Sequence, residues 1–227
     1  MTHPPGSSLG MLRLYQLVSP ALPVGAYNFS QGLEYAVHVG WVSDENSTLQ
    51  WIGGVARDAI AMLDLPMLIR MQHAWDAGDV SQVRGWNAEL MASRESEELR
   101  AEERHLGRSL AKVLHALHVD AAEPFIKYNT TYACMFALAT SRWEIDEQHA
   151  ATAFMWAWCE NQVLAALKLL PLGQTAGQRL LDELLQQIPD FVAMASSIED
   201  EDIGMAAPRL GMASAWHETQ YSRLFRS

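Results

Sequence analysis

The fold class this sequence predicts is an all-α single domain of roughly eight to ten helices, and three observations predict it. Apolar residues recur at spacings of three and four along long stretches. Leu106, Leu110, Val113, Leu114 and Leu117 make one set, Val163, Leu167 and Leu170 a second, and Leu180, Leu181, Leu184, Leu185 and Ile188 a third. Each set is one stripe on a 3.6-residue helix. Period-two alternation of β-branched residues is hard to find anywhere. Finally, 227 residues with 49% hydrophobic content can bury one core.

The punctuation places the elements in order. Pro20 and Pro23 close a first helix near residues 9–18, because proline has no N–H to donate. Gly40 ends a second near 30–39, and Ser47-x-x-Gln50 resembles a capping box opening the next. Asp64 and Pro66 mark another start, Gly78-Asp79 a turn, and Glu123-Pro124 a further boundary. Pro171 and Gly173 separate a long helix ending near Leu170 from one beginning near Gln174, which Pro189 is expected to stop. Glu199-Asp200-Glu201-Asp202 with Gly204 and Pro208 reads as a loop before a final helix. The domain spans 1–227, with 1–8 flexible and 209–227 a C-terminal helix and tail.

A formal charge of −11 argues against nucleic acid, which requires a basic face. Cys134 and Cys159 stand far apart in apolar runs and read as small core hydrophobes, which suits a reducing cytosol. The segment Met1-Thr-His-Pro-Pro-Gly lacks the features of a signal peptide. The most apolar stretch, 154–172, is interrupted by Glu160, Asn161, Gln162 and Lys168. A membrane span needs roughly 18–20 uninterrupted apolar residues, so a soluble, cytoplasmic protein is expected.

Eight histidines in an acidic chain raise the question of a metal. Glu102-x-x-His105 has the spacing of dimetal carboxylate bundles, and Asp146-x-x-His149 looks like a second copy. However, Glu102 sits in the run Glu97-Glu98-Leu-Arg100-Ala-Glu102-Glu103-Arg104, whose simpler description is a solvated helix face with i,i+4 ion pairs. Asp146-Glu147 falls where a helix should begin, and acids there complement the helix dipole. His115-x-x-His118 lies within an apolar stripe, and His217-Glu218 lacks a second histidine at Tyr221. No nucleophile elbow, Walker loop or dinucleotide fingerprint occurs. A non-catalytic protein with no metal site of its own is expected.

Three segments remain. The tail from His217 to Ser227 alternates Arg223 and Arg226 with Tyr221, Leu224 and Phe225. It is either a docking tail that orders on a partner or an amphipathic turn packed on its own domain. Residues 19–34 carry Pro20, Pro23, Gly25 and Gly32 around Tyr27 and Phe29, which holds a rigid loop or serves as an ordinary connection. Lys168 precedes the break at Pro171 and Gly173, either complementing the helix C-terminus or meeting a partner.

Together these segments resemble the urease accessory protein UreF family. Ser19-Pro20-Ala-Leu-Pro23-Val-Gly25-Ala-Tyr27-Asn-Phe-Ser30-Gln-Gly32-Leu-Glu34 is similar to its signature. Arg94-Glu95, Glu98-Leu99-Arg100 and Glu102-Glu103-Arg104 resemble its acidic-basic block, while Pro171-Leu-Gly173-Gln174, Asp202-Ile-Gly204 and the tail match further landmarks. The resemblance implies an all-α nickel-insertion chaperone that dimerises. It would scaffold UreD (also called UreH) and the GTPase UreG on apo-urease, and help couple GTP hydrolysis to nickel delivery. Nickel would be handled by the assembly, with no cofactor held stably and no nucleic acid or membrane bound. His217, Glu218, Tyr221, Arg223, Leu224 and Phe225 would then meet UreD/UreH, and Tyr27, Glu34 and Lys168 would lie toward the GTPase. The competing readings are a dimetal-carboxylate enzyme and a self-associating helical domain.

Overall fold

The computed structural model describes residues 8–227, which form ten α-helices and no strand. In order these are α1 Ser8–Leu17, α2 Leu33–His38, α3 Glu45–Val55, α4 Leu65–Asp76 and α5 Val80–Ala92. There follow α6 Glu97–Ala116, α7 Tyr132–Arg142, α8 Glu147–Leu169, α9 Gln174–Ser197 and α10 Pro208–His217. The predicted all-α class is what the chain adopts. Of the expected flexible stretch 1–8, residues 1–7 lie outside the described part, and Ser8 already opens α1.

Helix α4 is the hub, packing against α5, α7, α8 and α9. Its sequence explains the position: Leu65, Met67, Leu68, Ile69, Met71, Ala74 and Trp75 are buried, only the stripe of Arg70, His73 and Asp76 turns toward solvent, and a helix apolar over so wide an arc belongs in a core. Its neighbour α7 buries every residue from Ala133 to Thr140, and the Trp75 indole N–H donates to the Cys134 carbonyl at 3.3 Å. Burial pushes both cysteine thiols up to about 12, so neither supplies a thiolate nucleophile.

Three expectations need correction and one needs refinement. Asp64 and Pro66 do mark the start of α4, as its N-cap and second residue, but the chain reaches them through a π-helical stretch, Ala56–Asp64, rather than a loop. Pro66 cannot donate to the Met62 carbonyl, and the Gly204 N–H does so instead at 3.1 Å. The Asp58 carbonyl is likewise taken by the Ala206 N–H at 2.9 Å, so the 203–206 segment satisfies groups that the wide helix leaves open. The capping box of α3 begins at Asp44, whose carboxylate accepts from the Ser47 N–H at 2.7 Å; Ser47 is its third helical residue, not its cap.

Pro189 does not stop α9, which continues to Ser197. The proline sits on the exposed face, while Leu184, Ile188, Phe191, Val192 and Ala195 anchor the inner one. Finally, the charged run of α6 is not a solvated face: Glu102 and Glu103 are buried, and Glu98 nearly so. Glu103 and Asp64 share the buried Arg94 guanidinium, and the second Glu103 oxygen accepts the Tyr132 N–H at 2.9 Å. Burial keeps the Asp64 carboxyl above its usual range despite Arg94. This cluster ties the π-helical stretch, the 93–96 turn, α6 and the start of α7 together. Ion pairing of this kind fixes geometry more than it adds stability.

Candidate functional site: a tail bound by three glutamates

Helix α10 returns the chain to the start of α6. Ser96 caps α6, and its hydroxyl lies 2.5 Å from that of Ser214 on α10. One Glu218 oxygen accepts the Glu97 N–H at 2.8 Å, placing an acid where the helix dipole favours it. Gly32 lies where α10 crosses α2. It has φ +77°, and a Cβ there would sit 3.0 Å from the Ala213 Cβ, so both backbone shape and space require glycine. Across the same contact, the Tyr35 ring meets Trp216 at 5.6 Å and Trp41 at 6.1 Å.

From there the tail runs along residues 28–34. The Arg226 N–H donates to the Asn28 carbonyl at 2.9 Å, and the Ser227 carbonyl accepts the Ser30 N–H at 2.8 Å and the Ser30 hydroxyl. Phe225 is buried among Leu33, Ala36, Val42, Ala165, Ala166 and Leu170. The tail is therefore ordered on its own domain.

Three glutamates hold it. Glu34 accepts the Leu224 N–H at 2.6 Å through one oxygen and the Phe225 N–H at 2.8 Å through the other. Glu98 accepts from Arg223 Nη1 at 2.6 Å. Between these carboxylates lies His217, fully buried, with Nδ1 2.6 Å from Glu98 and Nε2 3.1 Å from Glu34. Each ring nitrogen of His217 therefore has a carboxylate oxygen within hydrogen-bond distance. Glu102 accepts from Gln31 Nε2 and from the Ser227 hydroxyl, both at 2.8 Å. Burial nevertheless pushes its carboxyl up to about 7, since two neutral donors do not replace the lost water.

These positions bear on each residue singled out from sequence. Tyr221, Leu224 and Glu218 are exposed, and Arg223 is exposed while paired to Glu98. By contrast His217, Phe225 and Glu34 are buried in the domain's own packing. Tyr27 is exposed, and the Lys168 ammonium bridges the tail and the signature segment, 5.7 Å from the Tyr27 ring and 5.4 Å from Phe225. Sequence reasoning did not assign Ser30, Gln31 or Ser227 to the site, and assigned Glu98 and Glu102 elsewhere. Only the shared family signature marked their segments.

The dimetal motifs are otherwise engaged. Both Glu102 oxygens are taken, and the His105 ring packs on Phe29 at 5.7 Å. Burial, with Arg226 and Lys112 nearby, lowers the His105 pKa. Asp146 caps α8, accepting the His149 N–H at 2.9 Å. Among the described residues no three His, Cys, Asp or Glu side chains gather in a metal-binding group. Nor is any helix of the described residues long and apolar enough to cross a membrane.

Residues 42–185 match the UreF family model. The urease accessory protein UreF of Alkalilimnicola ehrlichii is 46% identical over 220 residues, covering 96% of each chain. That of Hahella chejuensis is 46% identical over 219 residues, covering 96% of this chain and 99% of the relative. That of Chromohalobacter salexigens is 45% identical over 219 residues. The chain belongs to the UreF family of urease accessory proteins.

Proposed function

We propose that this protein is a non-catalytic scaffold for urease maturation in the cytoplasm. It joins a UreD/UreH-type protein through its C-terminal tail and brings a UreG-type GTPase to apo-urease, so that GTP hydrolysis is coupled to nickel delivery. Nickel is the cargo of the assembly rather than a resident cofactor of this chain. A homodimer is the working unit.

The observation that carries this reading is the tail's geometry. Its backbone is fixed by Glu34, Ser30 and Asn28, while Tyr221 and Leu224 point outward, fully and 64% exposed respectively. An interface whose anchors are already ordered loses less conformational entropy on binding. Any effect on GTP hydrolysis follows from positioning, since phosphoryl transfer is catalysed largely by alignment and charge.

Capture of a purified UreD/UreH-type partner by the full chain, with and without residues 217–227, tests this. Capture that depends on the tail supports the reading. Capture unaffected by its removal moves the interface to the helical body, and no capture by the full chain contradicts the proposal.

A further inference from the structure

The three glutamates of the tail site are not equivalent. Glu98 pairs with Arg223 and Glu34 accepts two tail amides, whereas Glu102 meets two neutral side chains, Gln31 and Ser227. It is 4% exposed, and among the described residues no cation lies within ion-pair distance of it.

Its two contacts join separate parts of the site. One oxygen accepts from Gln31 Nε2 of the signature segment, and Gln31 Oε1 accepts the Trp158 indole N–H of α8 at 2.7 Å. The other oxygen accepts the hydroxyl of Ser227, whose carbonyl takes the Ser30 N–H. Gln31 has φ +50°, a left-handed conformation that a residue with a side chain keeps only while its surroundings impose it.

These partners suit a protonated acid better than an ionised one. A serine hydroxyl donates or accepts, so protonated Glu102 can donate to Ser227 while its other oxygen keeps Gln31. No contact is lost and no charge is buried. The ionised form lacks the water that the covering tail excludes, and burial raises this carboxyl to about 7. The charged groups nearby do not offset this. Glu103 raises it further, and Arg94 lowers it while shared between Asp64 and Glu103. Glu34 of α2 and His217 of α10 form a group with Glu98, Arg223 of the tail pairs with Glu98, and Arg226 acts on His105. From α8 comes the neutral Trp158.

We infer that Glu102 is a proton switch on the tail: protonated, it joins the signature segment to Arg226 and Ser227, and ionised, it releases them to admit water. Leu224 and Phe225 stay on Glu34, so the end of the tail lifts while its root holds. A partner binds the fully docked tail at a lower entropic cost. This inference rests on the scaffold reading and adds its regulation, a partner affinity that weakens as pH rises.

The test is amide exchange on the full-length protein at pH 6 and pH 8, with the intrinsic pH dependence of exchange divided out, for wild type and Glu102→Gln. Glutamine copies the protonated acid, accepting from Gln31 and donating to Ser227. Helical circular dichroism establishes that the variant folds. A carboxyl that returns from about 7 to near 4.5 on release makes the docked form about ten-fold less favoured at pH 8 than at pH 6. Protection at the Ser30 and Arg226 amides should therefore fall about ten-fold in wild type and stay level in Glu102→Gln. Dilute denaturant should not change the fall, since the opening is local. A level wild type, an equal fall in the variant, or a fall that steepens with denaturant as core amides do, each overturns the switch. Capture of a purified UreD/UreH-type partner by both proteins at both pH values reads the regulation, because comparison with the variant cancels any titration of the partner. The ratio of wild-type to variant capture should drop about ten-fold from pH 6 to pH 8, and an unchanged ratio overturns the regulatory role. Capture by neither protein at either pH contradicts the scaffold reading, while the exchange result still decides the switch.

Discussion

The carboxylate of Glu34 accepts the backbone N–H groups of Leu224 and Phe225, residues 190 and 191 positions away, at 2.6 and 2.8 Å. One side chain near the start of the chain thus fixes the path of its end. The same carboxylate meets His217, which reaches on to Glu98, so α2, α6, α10 and the tail share one hydrogen-bonded group.

Replacing Glu34 by Ala should release the tail and leave the bundle folded. Hydrogen bonds to a charged group contribute about 1.5–3 kcal/mol each, and two tail amides lose theirs. Amide exchange at Leu224 and Phe225 should accelerate at least ten-fold, with helical circular dichroism unchanged. Unaltered exchange at both amides would show that Glu34 does not hold the tail.

His217→Ala should cost more than the loss of a side chain. It leaves Glu34 and Glu98 facing each other without the ring between them, and a buried polar group deprived of its hydrogen-bond partner costs about 1–3 kcal/mol, in addition to the cavity left by the ring. Chemical denaturation at neutral pH reads the loss. A cost under about 1 kcal/mol would contradict the bridging role.

The pH dependence should reveal Glu102. Its carboxyl is raised from an ordinary 4.5 to about 7 in the folded protein, so the folded state binds its proton more tightly. The corresponding stability is fully present below about pH 4.5 and is lost as pH rises through about 7, at most about 3 kcal/mol. Glu102→Gln should therefore flatten this part of the stability profile and stabilise the protein at pH 8 relative to wild type. Parallel profiles for the two proteins between pH 5 and 8 would contradict it.

Gly107→Ala tests the packing of α6 on the approach to α7. A Cβ at this position would lie 2.2 Å from the Thr130 carbonyl oxygen, and backbone cannot step aside as a flexible side chain can. Overpacking of this kind costs about 1–3 kcal/mol, against the small gain alanine brings to an ordinary helix. A rise in melting temperature would refute the close approach.

What was legible in the sequence was what is local. Leu106, Leu110 and Leu114 face inward on α6, as do Leu180, Leu181, Leu184 and Ile188 on α9, although Leu185 of that stripe is exposed, and the break at Pro171 and Gly173 separates α8 from α9. Pro66 opens α4 as expected, whereas Pro189 misled because it sits on the exposed face of α9, whose inner face the core holds in place. The acidic run on α6 misled because its partners are remote in sequence. Glu102 and Glu103 look solvated until Gln31, Ser227, Arg94 and the Tyr132 amide arrive from elsewhere in the chain. The tail's residue types suggested an anchor, but only the fold shows that Phe225 is spent on the domain itself and that Tyr221 and Leu224 remain free to meet something else.

The most direct measurement of this account is backbone amide hydrogen exchange on the isolated full-length protein at the tail. Leu224, Phe225 and Arg226 donate to Glu34 and to the Asn28 carbonyl, so their amides should exchange at least ten-fold more slowly than an unstructured chain, with no partner present. Exchange at the unstructured rate at all three would contradict the account, because the tail would then be free until a partner orders it.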